Sequence, residues 1–139
     1  MLEGHSEDKG RDFFFTVPRE AGMNITQEKS DGQMLVHMEG RFDFGARKTF
    51  KDAMDQAIKD EMPIVLDLAQ VSFVDSSALG LLVISHQNLK SKKIPLCLVN
   101  PQVYVRQVLD LANIGKMIPI YQTFEEIPKW QVVSSGAPA

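Results

Sequence analysis

Asp75-Ser76-Ser77 places one carboxylate and two hydroxyls where an apolar, strand-like run, Val71-Ser72-Phe73-Val74, gives way to a second apolar run, Ala78 to Ile84. The second run reads as a buried helix, so the serines sit at a helix N-terminus. Two chemistries fit that position. Ser and Asp are the preferred N-cap residues, and a capping serine needs no further role. Backbone N–H groups and the helix dipole also favour an anion there, by roughly 0.3–1 kcal/mol, so a phosphoryl group on Ser76 would be tolerated locally. Capping and phosphate acceptance are compatible.

Other chemistry is less well supported. His86 lies ten residues beyond Ser76 on the same predicted helix, about 15 Å along the axis at ~1.5 Å per residue, too far to act as that serine's base. His5 falls in a polar leader and His37 in a strand, and there is no G-x-S-x-G elbow. A hydrolase is not expected, and the chain is read as a non-enzyme. Asp43, Asp67 and Asp75 fall at or near strand ends and would gather on one rim. Solvated loop carboxylates and caps explain them better than a cation does, because no spacing resembles an oxygen-ligand loop. Glycine-rich phosphate loops of the Walker or dinucleotide type are absent. Neither metal nor cofactor is expected.

The elements that would position the serines belong to a chain of 139 residues, 44% hydrophobic and 24% charged, which suits a single α/β domain. A net charge of −3 without a basic stripe argues against nucleic-acid binding. The single cysteine, Cys97, excludes an internal disulfide, fits a reducing compartment, and within Pro-Leu-Cys-Leu-Val reads as a core strand residue. The charged N-terminus is not a signal peptide, and the longest apolar run is far short of the ~20 residues a membrane span requires. These features point to a cytoplasmic protein.

In chain order, residues 1–22 read as an N-terminal extension that is partly flexible, with an extra edge strand at 13–17 (Phe13-Phe14-Phe15-Thr16-Val17) ended by Pro18. A homodimer through this strand is an open alternative. The domain proper is expected over 23–130, with a fraying tail at 131–139 after a packed Trp130. Met23, Ile25 and Gln27 alternate with Asn24, Thr26 and Glu28; Ser30-Asp31-Gly32 then supplies a turn into Met34 to Met38, which predicts a hairpin. Ala46, Phe50, Ala53, Met54, Ala57 and Ile58 form a helical stripe that should stop before Pro63.

Ile64 to Leu68 and Ile94 to Val99 read as inner strands covered on both faces. Between them runs the helix opened by the serines, with Lys90, Lys92 and Lys93 near its end. Asn100-Pro101 is expected to cap a third helix with the stripe Tyr104, Val105, Val108, Leu109 and Ala112, closed by Asn113 and Gly115. Ile118 to Tyr121 suggests a short last strand, and Thr123-x-x-Glu126 a short final helix curtailed by Pro128. The result is a mixed sheet of about four to five strands with about four helices.

Ile64-Val65-Leu66-Asp67-Leu68 followed by Val71-Ser72-Phe73-Val74-Asp75-Ser76-Ser77-Ala78-Leu79-Gly80 resembles the signature of the STAS domain, specifically the stand-alone anti-sigma factor antagonists. The resemblance runs from about Met23 to about Lys129 and takes in Gly40-Arg41-Phe42-Asp43 and Leu109 to Gly115. It implies that Ser76, directly after the motif aspartate, is the phosphorylated residue, with Ser77 the second choice, and that Asp43 is the acidic neighbour of the phosphosite. Asp75, Ser77, Ala78 and Leu79 would complete its partner-binding surroundings. Ala78 stands where many antagonists have glycine, which would alter how closely a partner approaches.

A partner switch is the implied function. The unphosphorylated domain would bind an anti-sigma factor or a histidine-kinase-like serine kinase, release it when Ser76 is phosphorylated, and be reset by a PP2C-type phosphatase. The alternative is a STAS accessory subunit bound constitutively to an ATPase or transport complex, with the serines serving only as caps.

Overall fold

The computed structural model describes residues 14–20 and 22–129. Asp31 and Gly32 both adopt positive φ, 54° and 80°, the backbone of the tight turn whose twist matches a hairpin. They join β2 (Met23–Ser30) to β3 (Gln33–Phe42), with Ser30 opposite Gln33 as the turn chemistry predicts. Upstream, β1 (Phe14–Glu20) pairs antiparallel with β2 and continues through Pro18, with a register shift between Val17 and Glu20. Phe13, Trp130 and the tail at 131–139 lie outside the described residues.

From β3 onward the chain alternates. Helix α1 (Arg47–Ala57) leads to β4 (Ile64–Val74), α2 (Ser76–Ser91), β5 (Leu96–Val99), α3 (Val103–Leu111) and a two-residue β6 (Ile120–Tyr121). Spatial order in the six-stranded sheet equals chain order, β1 to β6. The first two pairings are antiparallel and the last three parallel. This is the expected α/β class with a mixed sheet. The strand count is higher because β1 joins the sheet, and among the described residues the α-helices number three because the expected fourth forms only a 3-10 turn.

Helix α1 sets its apolar stripe, Phe50, Ala53, Met54 and Ala57, into the core. It is extended by a single 3-10 turn at either end and closes at Glu61, which takes φ 54° before Pro63. The large core lies between one sheet face and the three helices. Phe42 of β3 and Phe50 of α1 meet there with ring centroids 4.9 Å apart. Each such side chain, fully removed from water, stabilises the fold by roughly 1.5–3 kcal/mol. The opposite sheet face carries a smaller cluster, Val65, Cys97 and Val99, packed beneath Leu35, Tyr121 and Ile127. Apolar residues on both faces of β4 and β5 are thus accounted for by cover on both sides. Burial pushes the Cys97 thiol up to about 12, consistent with a packed core residue.

The strand-like Val71–Val74 run is the end of an eleven-residue β4, whose pairing with β3 shifts register twice. Three local expectations differ from the structure. The strand expected over 94–99 begins at Leu96. Asn100 does not cap α3: it takes the left-handed conformation, and Gln102 precedes the helix while its side chain donates to the Ala69 carbonyl. The Thr123 capping box yields only one 3-10 turn, Phe124–Glu126, because the Glu126 carboxylate accepts from the Gln122 N–H (2.8 Å) and no side-chain cap forms at Thr123.

Gly40 is the tightest backbone point among the described glycines. Its φ is +113°, and a Cβ there would overlap the Gly22 carbonyl oxygen, which accepts from the Arg41 N–H. The strand therefore passes over the β1–β2 turn only because residue 40 has no side chain. Gly40→Ala should lower unfolding free energy by at least ~2 kcal/mol, from backbone strain plus displaced contacts. Urea denaturation with an unchanged slope and midpoint would refute this close-approach role.

Candidate functional site

The serines lie where β3 and β4 end together, since Phe42 and Val74 are register partners in the parallel pair. Chain leaving β3 turns through Asp43 and Phe44 into α1; chain leaving β4 passes through Asp75 into α2. Both connections therefore share one rim of the sheet, which is where α/β folds present functional loops.

Asp75 is the true cap of α2. It has extended backbone (φ −116°, ψ −176°), and its Oδ1 accepts from the Ala78 N–H at 3.0 Å. The other oxygen, Oδ2, accepts from the Phe44 N–H at 3.3 Å. The Asp75 backbone completes the junction: its N–H donates to the Phe42 carbonyl and its carbonyl accepts from Leu79. One carboxylate thus caps a helix and holds the neighbouring loop. The serines are relieved of capping, and among the described residues neither hydroxyl has a hydrogen-bond partner. Ser76 is exposed at the first helical position and Ser77 is half-buried behind it.

Asp43 follows the end of β3 onto the same rim. Its Oδ2 lies 3.4 Å from Arg41 Nε, and its Oδ1 is buried without a hydrogen-bond partner. Ala78 is fully buried, so its side chain lies in the core rather than on the surface of the rim. Leu79 is half-buried against the same core. Phe44, Arg41 and Arg47 were not singled out by sequence. Phe44 is 60% exposed, with the Arg47 guanidinium 4.5 Å from its ring centre, and Arg41 stacks 4.1 Å from the centre of Phe73. The signal available was an aromatic residue directly after Asp43 in a loop, where nothing in the local pattern buries it.

Asp67 does not join Asp43 and Asp75. It lies on the sheet, where its Oδ2 is 2.8 Å from His37 Nδ1, and His37 Nε2 is 2.9 Å from Glu28 Oε2. Three adjacent strands are thereby cross-linked through one imidazole. Among the described residues no group of three His, Cys, Asp or Glu side chains could hold a metal ion, and no helix is long and apolar enough to cross a membrane. His86 sits farther along α2, beside Lys90 and Lys93 and away from Ser76.

A mixed sheet with strands in chain order defines an α/β domain, and an exposed serine that does not cap opens the helix following β4. The sequence model of the STAS domain matches residues 24–127, and the chain belongs to the STAS domain family. It is 34% identical over 92 residues to a STAS-domain containing protein of Pseudomonas aeruginosa (strain UCBPP-PA14), covering 66% of this chain and 91% of that one. It is 32% identical over 103 residues to the anti-sigma F factor antagonist of Paenibacillus polymyxa, covering 71% and 86%. The fold is also that of the Bacillus cell fate determinant SpoIIAA in its phosphorylated form, with a TM-score of 0.56, 23% identity, and 73% and 94% coverage.

The strand clamp gives a pH dependence. The Asp67 hydrogen bond raises the His37 pKa above its ordinary 6.5; burial opposes this and Glu28 reinforces it. Burial would push the Asp67 carboxyl up, but the bonds from His37, the Ala69 N–H and Asn100 outweigh it and hold the group below its usual 3.8. A raised histidine pKa gives stability that is complete below 6.5 and lost as pH rises through the folded-state value. A lowered aspartate pKa gives stability present above 3.8 and lost on acidification. His37→Gln should therefore lie farther below wild type in urea midpoint at about pH 6 than at about pH 9.5. A gap that stays constant over that interval would exclude a charged clamp.

Proposed function

We propose that this chain is a phosphorylation-controlled partner switch that acts by binding rather than by catalysis. The observation carrying this reading is the division of labour at the rim: Asp75 supplies the cap, which leaves the Ser76 hydroxyl exposed and free of intramolecular bonds. Unphosphorylated, the domain binds an anti-sigma factor or a histidine-kinase-like serine kinase in the cytoplasm. Phosphorylation of Ser76 releases that partner, and a PP2C-type phosphatase restores binding. The chain's likeness to an anti-sigma F factor antagonist, and the fold it shares with SpoIIAA in the phosphorylated form, support this reading.

Electrostatics suffices for release. A phosphate adds about −1.5 to −2 charges at neutral pH. Two such charges facing one partner carboxylate at ~6 Å, with an effective dielectric near ~40, cost about 2.8 kcal/mol, roughly a hundredfold in affinity. Repulsion from the rim carboxylates Asp43 and Asp75 would act within the domain itself. The helix N-terminus offsets part of that repulsion, so no change of fold is needed.

Incubation with ATP and a histidine-kinase-like serine kinase from the same genome should add one phosphate by intact mass, and Ser76→Ala should abolish it. That variant should hold the kinase whether or not ATP is present. Its stability should stay within about 0.5 kcal/mol of wild type, because an exposed side chain is removed and the cap remains. Phosphate elsewhere than Ser76 or Ser77, or a variant that no longer binds, would sink the switch. A constitutive accessory subunit would bind its complex unchanged by kinase and ATP.

A further inference from the structure

The exposed face of α2 carries a residue that the isolated fold does not explain. Ser76, Gly80 and Ile84 follow one another at steps of four along the outer side of the helix, and all three are exposed. Gly80 lies in the helix interior, where glycine is the poorest former after proline. A Cβ at Gly80 would meet nothing within 4 Å, and its φ is not in the left-handed region. Neither crowding nor backbone conformation within the domain calls for glycine there. Ile84, one turn on, leaves 64% of its surface in water.

Beside this line runs a cleft of about 460 Å³ between α1 and α2, walled by Phe50, Met54, Leu81 and Ile84. Arg47 and Lys51 stand on its α1 rim with a single carboxylate, Asp55, so that edge is net positive. Arg47 also covers Phe44, the exposed ring whose backbone is tethered to Asp75. An apolar path therefore starts at the Ser76 rim and continues into a groove between two helices, the shape that accepts an amphipathic helix.

We propose that the partner released by Ser76 phosphorylation lays an amphipathic helix across α2 at Gly80. Its backbone approaches where a side chain is missing, and an apolar side chain enters the α1–α2 cleft against Ile84. This rests on the switch reading of Ser76 and adds the surface on which it operates. The partner helix carries carboxylates toward Arg47 and Lys51. A phosphate one turn from Gly80 then faces the same acidic helix, which couples the modification to release.

The test uses the full chain and the same histidine-kinase-like serine kinase, with affinity measured by calorimetry. Gly80→Ala should melt at or above the wild-type temperature, since alanine favours the helix and has room, yet bind more weakly. Gly80→Leu and Ile84→Lys should each weaken binding at least about tenfold while the protein stays folded by circular dichroism. Both variants binding within about twofold of wild type would overturn the docking face while leaving the Ser76 switch intact. A wild-type chain that neither binds the kinase nor accepts phosphate would overturn the switch and this surface together. Sedimentation showing a wild-type dimer that Ile84→Lys dissociates would assign the face to a second copy and overturn the partner helix.

Discussion

The Asp75 carboxylate is the constraint on which the functional end of the molecule depends. A single side chain accepts from Ala78, which starts α2, and from Phe44, which starts the approach to α1. Both oxygens are committed to backbone N–H groups, so the two connections leaving the paired ends of β3 and β4 are held in one arrangement. A helix N-terminus leaves orphan N–H groups that some oxygen must satisfy. Because aspartate does this, the hydroxyl beside it stays available. The cap and a free hydroxyl fall on adjacent residues, so a change at Ser76 leaves the cap of its helix in place.

The two faces of the sheet are used differently. One is covered by all three helices and holds nearly all the large buried side chains. Among the described residues the other is sealed over β4 and β5, by Tyr121 and Ile127. Toward β2 that face is polar, and Glu28, His37 and Asp67 replace apolar packing with a charged crossbar. Partly buried ionic groups hold a fold only when their partners are in place, and here the imidazole has a carboxylate on each nitrogen. The crossbar ties the antiparallel half of the sheet to the parallel half.

Much of this was readable from local pattern. The Asp31-Gly32 hairpin, the α1 stripe and the doubly covered inner strands follow from turn chemistry and periodicity, which act over a few residues. The exposed Ser76 was readable from its place between an apolar strand and an apolar helix. Which of Asp75, Ser76 and Ser77 caps α2 was not, because aspartate and serine both cap well. The choice was made by β3, which delivers the Phe44 N–H to the second aspartate oxygen. The His37 crossbar joins residues 9 and 30 positions apart, and no local signal announces it. At Thr123 the capping-box spacing was present, but Glu126 turned to Gln122 instead, one residue upstream.

Because the strands lie side by side in chain order, the sheet can be assembled in the order of synthesis, each strand docking on its predecessor as it leaves the ribosome. Pairing with the nearest neighbour in sequence keeps loop closures short, which favours rapid folding. The elements that end at or leave from the Ser76 rim, β3 through α2, lie between Gln33 and Ser91. That face is therefore encoded in one continuous stretch, and the α3 and β6 segments can diverge in evolution without rebuilding it.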